Sequence, residues 1–150
     1  MEGVSPEHFE QGLAYLAHKM VYAFRQRLGA ICRAHGYSMT PEELGILLVL
    51  DREGGAIQTR LSEVLDKDKA SVTRLLNKLV ELGFVERVND NEDRRVIRAY
   101  LSKAGKAVYQ KLRPELQAMS QQVFADIPEA DFVVARRVLI TAVANLKKQE

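Results

Sequence analysis

Residues 68–83 read DKASVTRLLNKLVELG, and the spacing within them decides the fold. Val72, Leu75, Leu76, Leu79 and Leu82 recur at steps of three and four, which at about 100° per residue lines one side of a helix. Ala70, Thr73, Arg74, Asn77, Lys78 and Glu81 fall on the other side, leaving it wet and rich in hydrogen-bonding groups. Asp68 is a natural cap, since a carboxylate there accepts from backbone N–H groups that the first turn leaves without partners. Gly83 ends the stripe.

Downstream, Phe84 to Val88 reads as a short strand, Asn89 to Asp93 as a polar turn and Val96 to Leu101 as a return strand, a hairpin with Arg94 and Arg95 at or beside its tip. Upstream, Ile57, Leu61, Val64 and Leu65 form a short helical stripe over 57–65. Asp66 and Lys67 interrupt it, so two helices with a tight turn between them are expected. Before that, Thr40-Pro41-Glu42-Glu43 sets out a capping box, with a hydroxyl, a proline in the first turn and a glutamate three residues on. A helix should run to about Asp51, burying Leu44, Leu47 and Leu48, until Gly54-Gly55 breaks the chain.

The two ends are helical by the same reasoning. Ser5-Pro6-Glu7 is a plausible start, and Phe9, Leu13, Leu16, Met20, Phe24, Leu28 and Ile31 predict one long amphipathic helix closing near Gly36. After the hairpin, Ser102 can cap a helix carrying Val108, Leu112, Leu116, Met119 and Val123, which Pro114 should kink or split. Ile127-Pro128-Glu129 marks a break. From Phe132 to Leu146 eleven of fifteen residues are apolar, about twice what one buried face needs, so the last helix is expected to be covered on two sides, by its own chain and by a second copy.

Composition narrows the classes. The 150 residues are 47% apolar and 28% charged, as in ordinary globular proteins, and no apolar run approaches the roughly 18 residues a membrane helix needs. Met1 to Gly12 is too acidic and polar for a secretory signal, and the single thiol, Cys32, can make no intrachain disulfide; a cytoplasmic protein is expected. Lys and Arg exceed Asp and Glu by 22 to 20, too little to announce a polyanionic partner. Residues 58–101 hold 9 basic and 8 acidic side chains, so binding to nucleic acid would require the bases to be gathered on one face. Enzyme signatures are absent from the sequence. His8, His18 and His35 are too widely spaced for a zinc site, His8 being read as exposed on the first turn. No phosphate loop, nucleophile elbow or paired-carboxylate cluster occurs, the Glu42-Glu43 pair is explained by capping, and no cofactor or metal is expected.

Helix, helix, turn, helix and two-stranded hairpin, in that order, make a winged helix-turn-helix: a mainly α (α+β) fold whose protruding helix suits a major groove and whose basic hairpin can reach a minor groove. Leu61-Ser62-Glu63-Val64-Leu65, Ala70 to Leu79, Leu82-Gly83-Phe84-Val85-Glu86-Arg87, Asp93-Arg94-Arg95 and Leu101-Ser102-Lys103-Ala104-Gly105, in unbroken order, resemble the MarR family of bacterial transcription regulators. The long first helix and the closing Asn145-Leu146 extend the resemblance to nearly the whole chain. One departure is the turn between the two helices, where the family carries Gly and an apolar residue and this chain carries Asp66 and Lys67. Asp tolerates the left-handed conformation better than most residues, so the turn can survive.

The resemblance implies a homodimer in which residues 1–36 and 102–150, the amino- and carboxy-terminal helices, form a dimerisation hub and residues 37–101 the winged DNA-binding region. It implies a repressor bound to a pseudo-palindromic duplex operator and released by a small lipophilic or phenolic ligand. Asp93 is then expected to brace the Arg95 guanidinium. Lys69, Ser71 and Thr73 are candidates for phosphate or base-edge contacts, Arg74 and Asn77 for the groove floor, Lys78 for a phosphate, and Arg94 and Arg95 for the wing. Arg94 and Arg98 are the weaker candidates, because Asp90, Glu92 and Asp93 offer them surface ion pairs. Two alternatives are a winged-helix protein-interaction module that binds no DNA and a thiol-based sensor using Cys32. Against the second, Cys32 lies near the Leu28 and Ile31 stripe, where a buried, inert thiol is expected.

Overall fold

A computed structural model describes residues 6–148, with side chains described from Phe9. The Ser5 cap and the exposure of His8 therefore lie outside the described residues. The chain divides by compactness between Leu116 and Gln117. The first part opens with a 3-10 helix, Pro6–Gln11, followed by α1, Leu13–Ala34. The single long helix expected from the apolar spacing is broken: Gly12 is extended (φ −62°, ψ 134°) and serves as the N-cap of α1. The reason is local, since glycine loses more chain entropy in a helix interior than any other residue and gives a helix its cheapest place to break.

Thr40 starts α2, Pro41–Glu53, with the full capping box: its hydroxyl accepts from the Glu43 N–H at 3.2 Å, and the Glu43 carboxylate accepts from the Thr40 N–H at 3.0 Å. This helix carries the core, burying Leu44, Ile46, Leu47, Val49 and Leu50, whereas Leu48, expected inside, is exposed. The two-residue strand β1, Ala56–Ile57, follows, then α3, Gln58–Leu65, and α4, Lys69–Glu81. Ile57 thus belongs to a strand and not to the helix its apolar side chain suggested; two residues are too few for a period-2 signal to stand out. Leu61, Val72, Leu76 and Leu79 close the core against α2, and Asp66 joins α3 to α4 in the left-handed conformation (φ 50°, ψ 48°), as its residue type allows.

The hairpin is β2, Val85–Asn89, displaced by one residue from the sequence reading, and β3, Ile97–Leu101, which begins one residue later than read and ends as read. With β1 they form an antiparallel sheet of order β1-β3-β2, in which Ala56 and Arg87 both pair with Ala99 and Val85 pairs with Leu101. Along β3, Ala99 and Leu101 are buried while Arg98 and Tyr100 between them are half-buried, so one face of the sheet closes the core, and Ile97, on that same face nearer the tip, is exposed. Helix α5, Lys103–Val123, begins where the Ser102 hydroxyl accepts from the Gly105 N–H and donates to the Gly83 carbonyl. A Cβ on Gly105 would stand 2.0 Å from the Phe84 carbonyl oxygen, so no other residue fits this contact. The helix runs on through Pro114 without the split that residue suggested.

In the second part, beyond Gln117, the end of α5 leads through Asp126 (φ 62°) to Pro128, the N-cap of α6, Glu129–Lys147. Phe124 and Phe132 meet edge to face at 5.4 Å across that turn. None of the residues of α6 is buried: Val134, Val138, Leu139, Ile140, Val143 and Leu146 are all exposed. No helix among the described residues is long and apolar enough to cross a membrane.

Candidate nucleic-acid interface

Helix α4 is fixed at its start by Asp68, whose Oδ1 accepts from the Ser71 N–H at 2.6 Å. That bond to the charged form holds the Asp68 carboxyl below its usual range. Gln58, the first residue of α3, ties the two helices together: its Nε2 donates to the Lys69 carbonyl (3.2 Å) and to the Thr73 hydroxyl. Thr73 Oγ1 in turn donates to the Lys69 carbonyl at 2.8 Å. The hydroxyl that the sequence offered to a phosphate or base is thus engaged within the turn, and Gln58, unmarked by any motif, bridges α3 and α4.

On the outer side of α4, Lys69, Arg74 and Asn77 are exposed and Ser71 is half-buried. Arg74 Nη2 donates to Ser71 Oγ at 3.0 Å, so these two candidates act as a pair. Lys78 lies differently from expectation. Its Nζ is 2.9 Å from Oε1 and 3.1 Å from Oε2 of Glu43, and 3.4 Å from the Ser38 carbonyl. Glu43 is 2% exposed, so a buried carboxylate holds the ammonium and Lys78 tethers α4 to α2, while its side chain stays 45% exposed.

An open hollow of about 370 Å³ lies between the start of α2 and α4, with Thr40, Glu42 and Glu43 on one wall and Lys67, Ser71 and Arg74 on the other. Both acids are already paired: Glu43 with Lys78, Glu42 with Arg25 of α1. The Arg25 hydrogen bond pulls the Glu42 carboxyl below its ordinary range, against the opposing effect of burial. Lys67 and Arg74 form no ion pair among the described residues, so the wall they share is cationic.

In the wing, Asp90 organises the turn by accepting from the Glu92 and Asp93 N–H groups, and its other oxygen lies 3.7 Å from Arg98 Nε. Arg98 is thereby spent on an ion pair. The Asp93 carboxylate accepts from the backbone N–H of Arg95 at 3.0 Å, where a bond from the guanidinium was expected. Asp93 therefore shapes the turn, and the Arg95 side chain, like that of Arg94, is exposed at the tip. The Arg94 carbonyl accepts from Asn89 Nδ2 at 2.9 Å, which closes the loop across its base.

Wing and helix meet through a residue the motifs did not mark. Arg87 of β2 donates from Nη2 to Asn77 Oδ1 at 2.6 Å. Its signal in the sequence is the two-residue period: Val85 is buried against the core, and Arg87 shares that face of the strand, toward α4. Cys32 is 1% exposed, and burial pushes its thiol up, outweighing the nearby Arg33.

Residues 37–96 match the family model described as MarR family, a span that runs from the start of α2 through β2 and the turn of the wing. The protein assigned as transcriptional regulatory protein for the hcr operon of Thauera aromatica is 26% identical over 136 residues, covering 91% of this chain and 78% of its own. A MarR-family transcriptional regulator from Silicibacter pomeroyi, solved by crystallography, superposes with a TM-score of 0.76 at 25% identity, over 95% of this chain and 96% of its own. A mutant MarR from E. coli complexed with operator DNA shares the fold, with a TM-score of 0.75 at 21% identity over 87% of this chain and 92% of its own. These relatives are transcription regulators and not enzymes. Over residues 37–96 the chain matches the MarR family, and its winged helix-turn-helix fold is that of MarR-family transcription regulators.

Proposed function

We propose that the protein is a homodimeric repressor that reads a pseudo-palindromic duplex operator, with α4 of each copy in a major groove and each wing over a minor groove. The observation that carries this reading is the outer side of α4. Lys69, Arg74 and Asn77 are exposed there beside a wall that includes Lys67, while Glu42 and Glu43, the acids of the facing wall, are paired with Arg25 and Lys78 and Asp68 is held by the Ser71 N–H as the cap of α4. Only this segregation lets a chain of net charge +2 present a positive surface to phosphates. The E. coli MarR complexed with operator DNA has the same fold, which supports duplex binding.

Twofold assembly is supported by α6, which is apolar along most of its length yet buries no residue within its own chain. A helix of that composition is stable in water only when another surface covers it, and a second copy supplies one and doubles the reading helices. Asp93, Arg94 and Arg95 then work as the wing, Asp93 by fixing the turn and the two arginines by reaching the duplex. In the proposed cycle, carried out in the cytoplasm, a small lipophilic or phenolic ligand releases the operator by favouring a spacing of the two helices that misses successive grooves. Selection of bound fragments from the organism's genome tests the reading. Fragments sharing an inverted repeat with half-sites about one helical turn apart support it, and fragments without any common symmetric sequence contradict it.

A further inference from the structure

We infer that Arg87 is a positioning residue that sets base preference, by fixing the Asn77 carboxamide so that it faces the duplex as a hydrogen-bond donor. This role rests on the duplex-binding reading above. Asn77 is exposed and lies one turn beyond Thr73 and Arg74, on the same side of α4. Its Oδ1 stands 2.6 Å from Arg87 Nη2. A guanidinium has donors and no acceptor, so the group turned toward it must be the amide oxygen and the outward edge carries the NH₂. Among the described residues Arg87 has no carboxylate partner, and Asn77 is the one side chain it bonds. The bond is charge-assisted and spans from strand to helix, which holds the amide against rotation.

The consequence concerns which base pair Asn77 can read. A free Asn pairs with adenine by donating to N7 while accepting from N6, which needs oxygen and nitrogen side by side on the free edge. Here Arg87 takes one lone pair of the oxygen and turns it toward the wing, so the edge presented outward is the NH₂ donor. Guanine, with two adjacent acceptors at N7 and O6, suits a donor better than adenine does. The geometry therefore assigns a guanine preference to the step beneath Asn77 and gives a residue of the wing strand control over a contact made by the helix.

The test uses the full chain and a duplex pool randomised over a single half-site, with bound molecules sequenced for the wild type, Asn77→Ala, Arg87→Ala and Arg87→Lys. Both side chains are exposed, and thermal melts check that each variant folds. The expected result is guanine enriched by the wild type at the step where Asn77→Ala loses preference. Arg87→Ala should reduce guanine-over-adenine discrimination at that same step by roughly tenfold, leaving other positions unchanged, with partial recovery in Arg87→Lys. The inference is overturned by adenine enriched at that step, by no change of preference in Asn77→Ala, or by Arg87→Ala weakening all sequences equally, which would make Arg87 a phosphate contact. A wild-type protein that retains no duplex at low salt contradicts the duplex-binding reading itself, and the role of Arg87 falls with it. Wild-type selection of a site that Arg87→Ala selects equally well overturns the role of Arg87 alone.

Discussion

Lys78 on α4 places its Nζ 2.9 Å from Oε1 of Glu43 on α2, and that carboxylate is 2% exposed. The pair joins the candidate reading helix to the helix that carries the core. Glu43 also accepts from the Thr40 N–H, so one buried side chain closes a capping box and anchors α4 at once. Lys78→Met would leave a buried carboxylate with only the Thr40 bond. We expect a loss of about 1–3 kcal/mol in urea unfolding at neutral pH. Unchanged stability would show that the ammonium spends its time in solvent.

Gly105 tests how the wing is braced from behind. The first turn of α5 lies against the corner between α4 and β2, where the Ser102 N–H donates to the Phe84 carbonyl at 3.0 Å and an added Cβ on Gly105 would meet that same oxygen. Backbone cannot yield as a side-chain tip does, so Gly105→Ala should cost about 1–3 kcal/mol or more in thermal or urea melts. A variant as stable as the wild type would mean that α5 can slide away from this corner.

Acid should loosen the contact between α1 and α2 through Glu42. Its carboxyl is held below the ordinary range by the Arg25 hydrogen bond, so its folded-state value is lower than its unfolded one. A group of that sign contributes fully above the unfolded carboxylate value of about 4.3, and the contribution is lost as pH falls through the folded value. The melting temperature of the wild type should therefore fall more steeply on acidification from pH about 5 to 3 than that of Glu42→Gln. Parallel acid limbs for the two proteins would remove the pair from the acid response.

The wing tip offers the sharpest single substitution. Arg95→Ala should weaken binding to a selected operator by roughly 1–3 kcal/mol while leaving the melt intact, because the turn is held by the Arg95 backbone N–H on Asp93 and not by its side chain. Equal operator affinity for the two proteins, measured by fluorescence anisotropy, would take the wing out of the interface.

The fold was legible because its signals are local. The capping box at Thr40, the cap at Asp68, the left-handed Asp66 and the stripe from Val72 through Leu79 each follow from a few neighbouring residues, and each stands in the structure as read. What could not be read depends on long separations. Lys78 meets Glu43 across 35 residues and Gln58 meets Thr73 across 15, and no spacing rule pairs a helix lysine with a distant buried acid. The same gap explains Asp93: the motif shows that an acid precedes Arg95, but only the turn geometry decides whether its oxygen meets the backbone N–H or the guanidinium. Gly12 erred the other way, since a continuous apolar stripe outweighed one residue that breaks helices.

The central claim is that this chain gathers its cations on one face to hold a DNA duplex. The most direct measurement is the affinity of the full chain for a labelled duplex of random sequence as a function of salt. A phosphate-gripping surface should lose affinity linearly on logarithmic axes, with a slope of about −0.9 for each phosphate neutralised. Binding that is absent at low salt, or that does not change with salt, would contradict the account.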